Sequence, residues 1–164
     1  MLSNIVTGIF TLSGLIVGVL LEPLKAVFAA KSRNRQQRNE QSAIIIQCAS
    51  DSGHIALNLN YAYRARMAGE SLALEPEMNL VKEYNQVRDQ LRKSVMLLRL
   101  HGPDGLANKA LEVNKSDNSL YELLQESNSG EFSATEVPER VQEAANVLAE
   151  QIMAFAELAR KHST

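Results

Sequence analysis

Residues 133–162 read SATEVPERVQEAANVLAEQIMAFAELARKH, and their apolar side chains recur every three or four positions, as on one face of an α-helix. Ser133 and Thr135 are candidate N-caps, Glu136 completes a capping box with Ser133, and Pro138 falls in the first turn, where proline is tolerated. The apolar seam consists of six residues: Val141, Ala145, Leu148, Ile152, Phe155 and Leu158. This stretch therefore predicts an amphipathic helix.

Two further helices are predicted upstream. The first follows the break at Gly69–Pro76, and its apolar residues recur at helical spacing: Leu80, Tyr84, Val87, Leu91, Val95 and Leu98. It stops at His101-Gly102-Pro103, and Asp104 can cap the next helix. That next helix is shorter, with Ser116-Asp117 as a candidate interruption, a further turn or two, and a loop over 127–130.

Residues 43–68 carry two patterns. Helical spacing is shared by Ile45, Ala49, Ser52, Ala56, Leu59 and Tyr63. Strand-like alternation is shared by Ile55, Leu57, Leu59, Tyr61 and Tyr63, with Asp51-Ser52-Gly53 as a turn. We favour the helix, because an isolated two-stranded hairpin is marginally stable, and Gly53 would be its weak point.

The predicted fold class is therefore all-α, with a single N-terminal transmembrane helix that continues into a small antiparallel helical bundle. The anchor is residues 1–30, a basic polar helical stalk is 31–42, and the bundle is 43–164. Residues 5–21 are uncharged and span about 26 Å as a helix, slightly short of the roughly 30 Å hydrocarbon core. Flanking apolar residues extend the span if Lys25 reaches the headgroups.

Gly14 and Gly18 form a GxxxG pair within this apolar segment. Such a pair lets a second helix approach closely, so we predict that these glycines form a helix–helix contact in the membrane. A second copy of the chain is one candidate partner for this contact, which would make the protein a homo-oligomer. The alternative is chance, because glycine is frequent in membrane helices.

Positive charge is concentrated directly after the apolar segment. Lys25, Lys31, Arg33, Arg35 and Arg38 lie within fourteen residues and, against Glu22, give residues 1–38 a net charge of +4; the chain total is −2, so the remainder carries −6. These five basic residues are the predicted membrane-surface contacts. The positive-inside rule places the N-terminus outside and the bundle in the cytoplasm at the inner membrane. The acidic body argues against a nucleic-acid partner.

Two other interpretations of the N-terminus stay open. Val27-Phe28-Ala29 could be a signal-peptide cleavage site after Pro23, although the segment has no basic n-region and the mature end would be strongly basic. The segment could also be a buried helix of a soluble protein.

Candidate chemical groups are scattered. His54, His101 and His162 stand on separate elements without ligand-spaced partners, so we expect no metal and no cofactor. Ser50, Asp51, Ser52 and His54 are too close in sequence to form a catalytic triad by themselves. Cys48 is either a small buried residue or a reactive thiol.

The layout resembles a loosely defined group of small bacterial and phage proteins with a glycine-containing N-terminal anchor, an Arg/Gln-rich stalk and a helical bundle. The residues that carry the resemblance are Gly14–Leu21, Arg33–Arg38 and Arg99-Leu100-His101-Gly102-Pro103. The resemblance implies this topology and no activity.

We therefore expect a non-enzymatic, membrane-tethered interaction or scaffold protein at the cytoplasmic face, whose partners are membrane lipids and a protein of unknown identity. One alternative is a holin-like or toxin-like protein that perturbs membranes by oligomerising through its glycine face, which growth arrest on expression would reveal. A second is an enzyme with a dispersed site, which a deep polar pocket would favour.

Overall fold

The described part of the chain forms four α-helices: α1 (Leu2–Met67), α2 (Leu74–His101), α3 (Asp104–Ser129) and α4 (Val137–Ser163). The computed structural model describes the backbone of residues 2–69, 74–129 and 137–163, and the side chains of residues 29–66, 68–69, 77–126 and 139–163. No strand occurs in these backbone ranges. The all-α prediction is confirmed.

The chain divides into two compact units, Met1–Gln37 and Arg38–Thr164. In the first unit, residues 31–37 lie within α1 and their side chains are exposed, as expected of a solvated polar helix. The second unit contains the hydrophobic core, to which all four helices contribute.

Cross-helix contacts establish an up-and-down order in the second unit. Only Gly102 and Pro103 separate α2 from α3, so these helices run antiparallel. Lys109 Nζ of α3 donates a hydrogen bond to Gln151 Oε1 of α4 at 2.9 Å, and Ser163 Oγ at the end of α4 donates to Asn39 Oδ1 of α1 at 3.0 Å. At the opposite end, the Arg66–Glu77 ion pair, 2.9 Å long, joins α1 to α2.

The core follows the predicted seams closely. In α1, all six residues of the helical pattern are buried, whereas Tyr61 of the strand-like pattern is 71% exposed. The helix is therefore the correct interpretation of residues 43–67. In α4, Val141, Leu148 and Phe155 are fully or almost fully buried, as the sequence pattern predicts.

Two boundary predictions were wrong. The helix α3 is continuous through Ser116 and Asp117 and extends to Ser129, because the Asp117 side chain is fully buried against partners on other helices rather than competing for its own backbone. The helix α2 begins at Leu74, before Pro76, because proline is tolerated in a first turn. The predicted caps Ser133 and Thr135 lie outside the described residues.

No helix in the part of the chain with described side chains is long and apolar enough to span a membrane. The predicted anchor lies almost entirely outside that part: residues 2–28 belong to α1, but their side chains, including that of Lys25, are not described. The predicted contact at Gly14 and Gly18 falls in the same segment and stays a prediction.

Candidate functional site

A buried ion pair lies in the middle of the bundle. Arg88 of α2 is 3% exposed and Asp117 of α3 is fully buried, and Arg88 Nε donates a hydrogen bond of 2.8 Å to Asp117 Oδ2. The hydroxyl of Ser52, on α1, donates to the other carboxylate oxygen, Asp117 Oδ1. Both oxygens of the carboxylate are thus engaged, and one side chain connects three helices.

The guanidinium of Arg88 is also packed against aromatic rings. Its Cζ atom lies 3.8 Å from the centroid of the Tyr121 ring and 5.6 Å from that of Tyr84, within the range of cation–π attraction. Arg88 Nη2 donates a further hydrogen bond of 2.8 Å to Asn118 Oδ1. We call Ser52, Tyr84, Arg88, Asp117 and Tyr121 the core ion-pair cluster.

Burial within this cluster changes the acidity of one phenol. The pKa of Tyr84 is raised well above its usual range, first by burial and then by the negative charge of Asp117. The positive charge of Arg88 and the hydroxyl of Ser52 act in the opposite direction without cancelling the effect. Tyr84 is therefore a neutral, packed side chain at physiological pH.

The core ion-pair cluster has the properties of a site that maintains the packing of the helices. Its charges neutralise each other, and its hydrogen bonds are directed at its own members and at Asn118. Taking charges out of water is costly, so a buried pair on different helices penalises any packing that separates Arg88 from Asp117. We assign this cluster to fixing the relative register of α1, α2 and α3.

A surface groove lies between α1 and α4. It encloses about 300 Å³ and is lined mainly by small and apolar side chains. From α1 it takes Ala49, Ser50, Gly53, His54 and Leu57, and from α4 it takes Gln142, Ala145, Asn146, Leu148, Ala149, Ile152 and Met153. We call this surface the α1/α4 groove. The small residues in its lining allow another chain to approach the two helix backbones closely.

A row of exposed glutamates borders the groove on α4. The row consists of Glu139, Glu143, Glu150 and Glu157, of which Glu157 forms an ion pair with Lys161 at 3.0 Å. Glu150 is four residues after Asn146 and three before Met153, so it is a direct neighbour of two groove residues on the helix surface. Glu143 stands three residues before Asn146 in the same way. The groove is thus apolar inside and acidic along one edge.

The fold does not bring together the side chains that the sequence offered as candidates for chemistry. His54, His101 and His162 are exposed on α1, α2 and α4, and no group of three or more His, Cys, Asp or Glu side chains among the described residues could hold a metal ion. Ser52 is buried in the core ion-pair cluster, whereas His54 is exposed at the groove.

Cys48 is 7% exposed and packs in the hydrophobic core. Burial raises the pKa of its thiol, and the charge of Asp51 raises it further. Of the two interpretations of this cysteine, the small buried core residue is the one the structure shows.

The ion pair was not predicted from the sequence, although the spacing of its two residues contains a signal for it. Asp117 stands four residues after Val113 and three before Leu120, and Arg88 stands four after Tyr84 and three before Leu91. Each charge thus continues the helical spacing of the apolar residues on either side of it, which for Asp117 requires a helix without the predicted interruption. Opposite charges at core positions of neighbouring helices indicate a buried pair.

The sequence matches no protein-family model, and comparisons with curated proteins and with solved structures find no similar protein.

Proposed function

We propose that this protein is a membrane-tethered docking protein, whose cytoplasmic bundle binds a basic amphipathic helix of a partner in the α1/α4 groove. The observation that carries the proposal is a groove whose lining includes the small residues Ala49, Gly53, Ala145 and Ala149, with a row of glutamates along its edge. A helix laid into a groove binds through apolar anchors at helical spacing.

Charge determines which partner this groove favours. Glu143 and Glu150 are exposed neighbours of the groove, and the chain beyond residue 38 carries a net charge of −6. Lysine or arginine on the partner helix would face these carboxylates, while its large apolar residues fill the space above the small groove residues. Complementary charge chiefly sets specificity and the rate of association.

The tether rests on the amino-acid sequence. The uncharged run of residues 5–21, followed by Lys25, Lys31, Arg33, Arg35 and Arg38, supports a single span with the N-terminus outside and the basic residues at the inner headgroups. Gly14 and Gly18 support close approach of a second helix within the membrane. In this proposal the tether concentrates the docking groove at the inner membrane surface.

Site-specific photocrosslinking in cells tests the docking. A photoreactive amino acid replaces Ala149 in the full chain, and the same residue at exposed Glu122 of α3 is the control. We expect an adduct from position 149 whose crosslinked segment, identified by mass spectrometry, is a basic amphipathic helix.

Charge reversal sharpens this test. Glu143→Lys with Glu150→Lys should abolish the adduct, whereas Glu122→Lys should leave it unchanged. An adduct that survives the double reversal, or a crosslinked segment that is acidic or not helical, would contradict the proposal, as would the absence of any adduct.

A further inference from the structure

Three large apolar side chains are exposed together near the end of α2. Met96 is 52% exposed, Leu97 38% and Leu100 70%. With Arg92 and Lys93 they line one shallow, almost wholly apolar depression. We call these five residues the α2 patch. Single exposed apolar residues are ordinary, but a contiguous group marks a contact surface.

The α2 patch lies in the most basic part of the bundle sequence. Residues 92–101 contain Arg92, Lys93 and Arg99 and no acidic residue, whereas residues 39–164 as a whole carry −6. Arg92 also contacts Asp89 on its own helix at 3.8 Å and Asn118 at 3.2 Å. Long basic side chains beside exposed apolar ones are the composition of surfaces that lie on anionic lipid bilayers.

The position of the patch within the bundle is also consistent with contact with a lipid bilayer. The Arg66–Glu77 ion pair joins the end of α1 to the start of α2, so α2 runs back and ends at the same end of the bundle as Asn39. In the sequence, Asn39 directly follows the basic residues 31–38. The α2 patch is thus at the end of the bundle where Asn39 lies.

We propose that the α2 patch is a lipid-contact surface, in which Met96, Leu97 and Leu100 enter the headgroup region. Lys93 of the patch and exposed Arg99, which lies beside the patch three residues after Met96, face anionic phosphates. This inference rests on the proposed membrane tether. Charge favours lipid over a second copy, because a symmetric dimer places the same patch on both subunits and would bring its cations together.

The experiment uses the full chain, reconstituted into vesicles of phosphatidylcholine alone or mixed with phosphatidylglycerol. An environment-sensitive fluorophore is attached at Leu100→Cys in a Cys48→Ala background. The matched control is Tyr61→Cys, because Tyr61 is equally exposed, at 71%, but lies towards the opposite end of the bundle. We expect a blue shift of emission at position 100 in the phosphatidylglycerol vesicles, its loss with Lys93→Glu and Arg99→Glu, and no shift at position 61.

The outcomes separate this inference from the tether itself. Chain that remains in vesicles after an alkaline carbonate wash, with no shift at position 100, would overturn the lipid-contact surface and leave the tether standing. Chain released by the wash would overturn the tether. A shift that is the same in both vesicle types and grows with the protein-to-lipid ratio would indicate a second copy on the patch and also overturn the inference.

Discussion

Arg88 Nε and Asp117 Oδ2 are 2.8 Å apart, with both side chains shielded from solvent, at the point where α2 faces α3. The importance of this pair for stability lies in the free energy that breaking it would cost. Removing one member leaves an uncompensated charge in the core, whereas removing both can be nearly neutral.

The first prediction follows from that asymmetry. Asp117→Asn should lower the free energy of unfolding by roughly 3–5 kcal/mol, while Arg88→Met with Asp117→Leu should recover most of the loss. Urea unfolding of the full chain in a mild detergent measures both. The control is Glu112→Gln in the exposed Lys109–Glu112 pair, for which the expected loss is at most about 1 kcal/mol. Equal losses for the single and double core variants would contradict a coupled buried pair.

The second prediction concerns alkaline pH. Because the pKa of Tyr84 is higher in the folded than in the unfolded chain, its contribution to stability is fully present below the unfolded pKa of about 10 and is lost as the pH rises above that value. The loss due to Tyr84 should be on the order of 1 kcal/mol at pH 11. Tyr84→Phe should remove this part of the alkaline loss and leave the part due to Tyr63, whose pKa is also raised by burial.

Tyr61→Phe supplies the matched substitution, because it removes the same hydroxyl group from a side chain that is 71% exposed. A change in the alkaline loss of stability that both substitutions share does not come from the burial of Tyr84. If the stability of the Tyr84→Phe variant depends on pH in the same way as that of the unsubstituted chain, the core does not keep the Tyr84 phenol neutral.

The third prediction compares two glycines. A methyl group at Gly53 would meet Leu148 Cδ2 at 3.7 Å, an ordinary contact, so Gly53→Ala should raise the free energy of unfolding by about 0.5–1 kcal/mol. A methyl group at Gly102 would lie 2.5 Å from the Leu98 carbonyl oxygen, so the backbone must shift and Gly102→Ala should lower stability. Urea unfolding of both variants checks the two signs, and stabilisation by Gly102→Ala would contradict the geometry of the α2–α3 turn.

The fourth prediction concerns Cys48. Since the thiol is buried and its pKa is raised, it should react with a thiol reagent far more slowly in the folded chain than in urea. A chain with Leu100→Cys supplies an exposed thiol for reference. Rapid modification of Cys48 in the folded chain, at a rate close to that of the reference thiol, would show that the α1 core opens readily.

The sequence predicted the helices because each apolar seam has a helical period, and the buried faces of α1, α2 and α4 follow those seams. It did not predict the continuity of α3, because Asp117 favours caps and turns when judged locally, and only its distant partners Arg88 and Ser52 make it a core residue. The α1/α4 groove was equally hidden, since it depends on small residues from helices separated by about half the chain. Such features are set by tertiary packing, not by local spacing.

Membrane topology tests the central claim, a cytoplasmic helical bundle tethered by residues 1–30, most directly. Cells that express the chain with a C-terminal reporter are treated with protease from outside, and their membranes are then washed with alkaline carbonate. We predict an intact chain that stays in the membrane fraction, with a protected C-terminus and its original N-terminus by sequencing. A product that begins near Ala30 and is digested from outside, or a chain released by the wash, would contradict the tether and the cytoplasmic placement of the docking groove.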